Sequence, residues 1–288
     1  MYPAEFEYFR VKTLAEAAQL LRKHKGSHLL AGGHSLLPAM KLRVSQPKSL
    51  IDIGGLRGLS GIQAKGKTLV VGAMTTHAAV ASSPIVAKSC PLLAETASQI
   101  GDIQVRNRGT IGGSLAHADP AADYPTAILA LNATIVVRSA KGERKIPAER
   151  FFLDLFTTAL KPGEILTSVV VPAYAKRTGG AYVKHRHPAS SYAVVGVAAL
   201  VELSDGVCKR VSLAVGGAGA TPVRASEAEA TLAGRKPDAE SLEAAGAKAA
   251  SAVADPLSDT YASGEYRLHL ATVLAKRALT QAVARAKG

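Results

Sequence analysis

Two glycine pairs constrain this chain more than any other feature. The first lies in Ala31-Gly32-Gly33-His34-Ser35, between a predicted strand over 27–31 and a predicted helix over 36–44. The second lies in Gly109-Thr110-Ile111-Gly112-Gly113-Ser114, again with a helix expected to follow. Paired glycines reach backbone conformations closed to other residues and let another group approach the main chain closely. A helix that follows such a turn presents unpaired amides and the positive end of its dipole, which together suit a phosphate. Each loop alone also reads as a tight strand-to-helix turn. Two of them on separate segments could grip the two phosphates of a dinucleotide from opposite sides, with no lysine needed.

The common nucleotide motifs are absent. The chain has no Gly-x-x-x-x-Gly-Lys-Ser/Thr and no Gly-x-Gly-x-x-Gly after a strand. Gly217-x-Gly219 lacks the third glycine and runs into Thr221-Pro222, so it reads as a strand-to-loop turn. No Gly-x-Ser-x-Gly nucleophile signature occurs.

At 288 residues the chain suits two or three packed units. Residues 1–53 alternate strand and helix, with Leu14, Ala17, Ala18 and Leu21 at helical spacing. Residues 54–175 mix strands over 68–72, 134–138 and 167–171 with helices starting at His77 and over 84–100 and 121–131. A linker around Thr178-Gly179-Gly180 leads to residues 178–288, with strands over 181–185, 192–203 and 208–215 and helices over 238–253 and 265–286. That order predicts an α+β chain closed by a three-stranded antiparallel sheet with helices.

The net charge of +13 raises nucleic acid as a partner. The basic residues are spread along the chain, however, and with no Trp and 5% aromatics there is little to stack bases on. No nucleic acid is expected, and a basic surface fits acidic partner subunits or a phosphorylated cofactor equally well. The longest apolar stretch, about 193–201, is far short of the ~20 residues that span a bilayer, and no signal-peptide pattern opens the chain. A cytoplasmic protein without a transmembrane segment is expected. Cys90 and Cys208 make no disulfide framework and cannot supply the four ligands of an iron–sulfur cluster. His185 and His187 share a strand face but have no third ligand nearby, so no metal is assigned.

Taken together, Ala31-Gly32-Gly33-His34-Ser35-Leu36-Leu37-Pro38 and Gly109-Thr110-Ile111-Gly112-Gly113-Ser114 resemble the signature loops of the flavin subunit of molybdenum hydroxylases, of the carbon monoxide dehydrogenase and xanthine dehydrogenase type. Gly72-Ala73-Met74-Thr75-Thr76-His77, Ala118-Asp119-Pro120-Ala121-Ala122-Asp123 and Lys161-Pro162-Gly163-Glu164-Ile165-Leu166 resemble the family too. The resemblance spans nearly the whole chain.

It implies two α/β subdomains of the vanillyl-alcohol-oxidase-like FAD-binding fold, over 1–53 and 54–175, plus a C-terminal α+β domain. It implies FAD held at its pyrophosphate by amides of Ala31, Gly32, Gly33, His34, Ser35 and Leu36 and of Thr110, Ile111, Gly112, Gly113 and Ser114, with His34 as support. By the same resemblance Asp123 bonds the cofactor's sugar portion, although a first-turn carboxylate favoured by the helix dipole fits it too. Ile100 and Leu166 would touch the cofactor, or be plain core residues. Lys184 would approach the flavin's polar edge, or be a solvated charge. Tyr192 would cover a flavin face, or be a core aromatic at a strand start. No residue is assigned a catalytic role.

The partners implied are a small subunit with two [2Fe-2S] clusters and a large subunit with the molybdopterin cofactor, in a heterohexamer of two heterotrimers. A stand-alone FAD oxidoreductase of the same fold and a non-catalytic basic binding protein are the alternatives. Neither the substrate nor the electron acceptor follows from the residues.

Overall fold

A computed structural model describes residues 1–288. The N-terminal part runs β1 (Glu7–Arg10), α1 (Leu14–Lys23), β2 (Ser27–Leu30), α2 (Leu36–Lys41) and β3 (Ser49–Asp52). Its three strands form a parallel sheet in the order β1-β3-β2. Parallel pairing requires crossovers, and α1 supplies one, capped by the Thr13 hydroxyl on the Glu16 amide.

The middle part carries β4 (Ile62–Lys65), β5 (Thr68–Gly72), α3 (His77–Ser82), α4 (Pro84–Ser89), α5 (Pro91–Ser98), α6 (Ile103–Arg108), α7 (Ile111–His117), α8 (Asp123–Ala130), β6 (Thr134–Ser139), β7 (Gly142–Pro147), β8 (Phe152–Asp154), β9 (Thr157–Thr158) and β10 (Ile165–Pro172). Five of these strands make a sheet in the order β4-β5-β10-β6-β7, and β8 and β9 form a separate hairpin. The single helix expected over 84–100 is two helices. Pro91 disfavours the helical region for the residue before it, and Cys90 turns out of the helix at φ −156°, ψ 70°. Helix α6, between Asp102 and Gly109, has no counterpart in the sequence reading; its six residues are too few to show a period.

The last part runs β11 (Thr178–Arg186), β12 (Ala193–Ser204), β13 (Val207–Gly216), β14 (Val223–Arg224), α9 (Ser226–Leu232), α10 (Ala239–Ala247) and α11 (Gly264–Lys287). The sheet has four strands, β11-β12-β13-β14, because the two-residue β14 adds an edge too short to be read from pattern. The helix expected over 238–253 stops at Ala247 and resumes as one 3₁₀ turn.

This sheet is buried on both faces. Ala181, Ala199 and Leu213 lie in register and pack into the core under α11, while Tyr182, Ala198 and Ala214, one residue along, pack into the core of the middle part. A strand covered on both sides loses the polar–apolar alternation, which is why 193–201 reads as one apolar run. Helix α8 lies against β12 and β13 with all eight of its residues buried. No helix is long and apolar enough to cross a membrane.

Gly179 sets the distance between β11 and α11, since a Cβ there would overlap the Ala282 carbonyl oxygen and lie 2.5 Å from the Ala286 nitrogen. Gly179→Ala is therefore expected to destabilise the protein by about 1–3 kcal/mol, read as a lowered urea midpoint with an unchanged slope.

Candidate functional site: a backbone cradle between two glycine loops

The two glycine loops meet. A Cβ on Gly32 would overlap the Arg108 carbonyl oxygen and stand 2.8 Å from the Gly109 Cα, so only glycine permits this approach. Gly109 is squeezed from the other side, where a Cβ would lie 2.5 Å from His77 Nε2. Gly33 answers to conformation: its φ of +77° is in the left-handed region that L side chains rarely adopt.

The first loop keeps its amides free. The N–H groups of Ala31, Gly32, Gly33, His34, Ser35 and Leu36 donate to no acceptor in the chain, and the next amide, that of Leu37, bonds the Gly33 carbonyl at 3.0 Å. The Ser35 side chain makes no capping bond to α2. His34 Nδ1 lies 3.0 Å from the Gly32 carbonyl oxygen, a supporting contact within the loop. Unpaired amides are costly unless water or a ligand bonds them, and six in a row form a concave donor surface for an anion. A phosphate group is the kind of anion that such donors could hold.

The second loop differs from the expectation. Gly112 and Gly113 lie inside the first turn of α7, and the amides of this segment are already bonded. Ile111 donates to Thr75 O at 3.0 Å, Gly112 to Ala73 O at 2.8 Å and Ser114 to Thr110 O at 3.0 Å. Gly113 donates to the capping Thr110 hydroxyl at 3.1 Å. Only the Thr110 amide has no acceptor within the chain. Gly112 is needed for packing, because a Cβ there would lie 2.5 Å from the Ala73 Cβ. Gly113 faces the first loop, its added Cβ coming 3.8 Å from the Ala31 Cβ. Segment 73–77 thus fastens the second loop, and Ala73 in turn donates to Thr167 O of β10 at 2.9 Å.

His77 sits beneath this junction, 4% exposed and tilted against the Tyr124 ring at 5.3 Å. Its Nδ1 and the Tyr124 hydroxyl have no hydrogen-bond partner. Burial, with His34 and Arg106 nearby, lowers its pKa to about 4, so it stays neutral.

Asp123 and Lys184 are brought together, and deeply. The Lys184 side chain is 1% and that of Asp123 4% exposed. Lys184 Nζ donates to Asp123 Oδ1 at 2.8 Å, to Gln99 O at 2.9 Å and to Ser191 O at 2.8 Å, which uses its three protons. Tyr182 OH donates to Asp123 Oδ1 at 2.6 Å. Lys184 is therefore not a solvated charge. Burial raises the Asp123 pKa and lowers that of Lys184, and their mutual attraction opposes both shifts.

Tyr192 lies just before β12 and is 41% exposed, so it is not a core aromatic. Burial of its hydroxyl, with Asp119 nearby, raises its pKa, and the Ser35 hydroxyl lowers it, which puts Tyr192 beside the first loop. Ile100 is half-buried against the middle core, and its carbonyl accepts from Arg106 Nη1 at 3.1 Å. Leu166 is 5% exposed in that same core, one residue before the Thr167 that anchors Ala73. The sequence reading missed the fastening residues His77 and Thr75. Both stand in the stretch that it matched to the family, but their partners lie more than thirty residues away. His185 and His187 pack around the ring of Tyr261, at 6.4 and 4.5 Å.

Comparison with known proteins defines the class. Residues 4–174 match the model of the FAD binding domain in molybdopterin dehydrogenase, and residues 180–282 match the CO dehydrogenase flavoprotein C-terminal domain. The chain is 41% identical to the carbon monoxide dehydrogenase medium chain of Hydrogenophaga pseudoflava, over 99% of both chains. It is 36% identical to the 6-hydroxypseudooxynicotine dehydrogenase complex subunit alpha of Paenarthrobacter nicotinovorans, over 100% of this chain and 97% of the relative. The solved carbon monoxide dehydrogenase from Hydrogenophaga pseudoflava superposes with a TM-score of 0.96 at 42% identity over 99% of both chains. Quinoline 2-oxidoreductase from Pseudomonas putida 86 gives 0.94 at 32% identity over the full length of both. The chain belongs to the FAD-binding subunits of the molybdenum hydroxylases, with the α+β fold of that family.

Two outcomes test this site. Lys184→Met leaves the Asp123 carboxylate buried without its cation and should cost about 3–5 kcal/mol in urea unfolding, with Asp123→Asn/Lys184→Met recovering most of the loss. The lowered pKa of His77 means that the unfolded chain takes up a proton first as pH falls. Stability present above about pH 6.5 is lost between there and about pH 4, by about 3 kcal/mol, and levels off below. His77→Gln should flatten that part of the profile of unfolding free energy against pH.

Proposed function

We propose that this chain is the flavin subunit through which electrons leaving the [2Fe-2S] clusters of a small partner subunit reach an external acceptor, while a large partner carries the molybdopterin cofactor and the substrate. The observation that carries the reading is the run of six unpaired amides from Ala31 to Leu36, closed against Arg108 and Gly109, in a chain that matches the family over nearly its whole length. Residues 1–53 and 54–175 supply the two walls of this cradle, and 178–288 reaches it through Tyr192, while Lys184 lies buried behind it against Asp123.

FAD, when bound, supplies reversible electron transfer. The chain's own residues do the rest. Amides of Ala31, Gly32, Gly33, His34, Ser35 and Leu36 and the Thr110 amide hold the pyrophosphate by dipoles, with Ser35 offering a hydroxyl. Ile111, Gly112, Gly113 and Ser114 shape the opposing wall. Asp123 takes Tyr182 and Lys184 on Oδ1 and a longer 3.1 Å contact from Lys184 on Oδ2, and the remaining lone pair of Oδ2 would accept from a sugar hydroxyl. Tyr192, beside the first loop, would cover the flavin with its ring and exclude water from it. Ile100 and Leu166 form the apolar floor. The full assembly is a cytoplasmic heterohexamer of two such heterotrimers.

The test is the cofactor itself. Protein purified with its partners should show a flavin spectrum and release FAD on denaturation; a colourless complex that takes up no FAD would overturn the reading. Gly32→Leu must push the first loop off Arg108 and Gly109, and FAD retention should fall at least about a hundredfold, the scale on which displaced binding groups act.

A further inference from the structure

The segment Phe151-Phe152-Leu153-Asp154-Leu155-Phe156 holds three of the chain's five phenylalanines in six residues, and the FAD site uses none of them. It forms the β8–β9 hairpin. Phe151 is fully buried, but Leu153, Leu155 and Phe156 are 59%, 43% and 57% exposed. Three adjacent large apolar side chains in solvent make a patch that calls for a partner.

The hairpin is held in shape. Phe156 sits in the left-handed region at φ +52°, a conformation that costs a bulky residue energy and persists only where the surroundings enforce it. The Phe156 amide donates to the carbonyl of Ala118, itself at φ +50°, and the Phe156 ring packs on His117 at 5.2 Å. At the base, Ala159 donates to Phe151 O at 2.8 Å, and Arg144 grips Ala159 O and the Glu164 carboxylate. A rigid tip of two leucines and a phenylalanine has the composition of an interface anchor that loses little entropy on binding.

Its position identifies the partner. Ala118 and His117 close the C-terminal end of α7, whose N-terminal turn forms the second wall of the cradle. Seven residues of helix separate the two ends by about 10 Å. A protein seated on this tip is one short helix away from Thr110. We infer that the hairpin 151–158 docks the iron–sulfur partner subunit, its leucines and Phe156 entering an apolar recess and Asp154 meeting a donor at the recess wall; the inference rests on the function proposed above. The exposed Arg150 and Lys161 beside the tip fit a rim of carboxylates. A lipid surface fits less well, because Asp154 stands at the centre of the patch and its carboxylate would face anionic headgroups.

The test uses the full chain co-expressed with its small and large subunits. Two variants are made: Leu155→Asp, which charges the tip, and Phe156→Gly, which removes the ring while relieving the left-handed backbone. Both should fold with wild-type circular dichroism, Phe156→Gly with a thermal midpoint no lower than wild type. Each should weaken co-elution with the iron–sulfur subunit at least about tenfold, as loss of an anchor does. Wild-type co-elution in both variants would overturn the docking assignment and leave the functional reading intact. Binding of the wild type to phosphatidylserine vesicles, or self-association, that the variants lose with subunit pairing untouched would also overturn it. A wild-type chain that pairs with no iron–sulfur subunit would overturn both.

Discussion

The approach of Gly32 to the Arg108–Gly109 backbone is the contact on which the rest of this site depends. A single methyl group at Gly32 would collide with a carbonyl oxygen and an α-carbon that cannot yield separately, because both belong to a segment bonded along its other edge to residues 73–77. With the two backbones in contact, the loop from Ala31 to Leu36 cannot satisfy its amides by folding onto its neighbour, and they remain available as a set. Glycine is poor at stabilising a chain, since it surrenders the most entropy on folding. The cost is offset one layer down, where Thr75, Ala73 and Thr167 pass hydrogen bonds from the second loop into the middle sheet.

The glycine pairs were legible in the sequence, but their different uses were not. Both are Gly-Gly with a serine just beyond, and both precede or open a helix. What separates them is the destination of the amides, and that is set by Ala73 and Thr75, far upstream of Ile111 and Gly112. Local pattern carries no trace of such a partner. The same limit hid β14, whose two residues pair with Ala214 and Val215. It did not hide α11 or β12, which are long enough for period and composition to speak. The break at Cys90 could have been read, because Pro91 forbids what the apolar spacing over 84–100 suggests.

Lys184 shows a third kind of limit. In sequence it stands among Lys184-His185-Arg186-His187, a run that looks like a basic edge. In the fold it is the member of that run whose charged end is buried, and its ammonium joins Gln99, Asp123 and Ser191 from three separate segments. Room for the neighbouring Tyr182 ring comes from Gly196 on the adjacent strand, where a Cβ would lie 3.0 Å from the ring's Cζ. A buried cation of this kind is dear in isolation and stable only as part of a complete set. Its value lies in geometry: Ser191 O is one residue from Tyr192, so the pair with Asp123 fixes the start of β12 relative to α8.

The C-terminal sheet makes that fixation rigid. Because β11, β12 and β13 are packed on both faces, neither α11 nor the middle core can shift without repacking the other. Tyr182 contributes to the middle core while its neighbour Ala181 contributes to the other, and between them the backbone of β11 carries Lys184 to Asp123. The cradle is thus gripped on one side by glycine-to-glycine contact and on the other by a buried ion pair mounted on a sheet with no free face. A dinucleotide held chiefly by amide dipoles needs such rigidity, because dipoles fall off with distance faster than charges and reward only donors that are already in place.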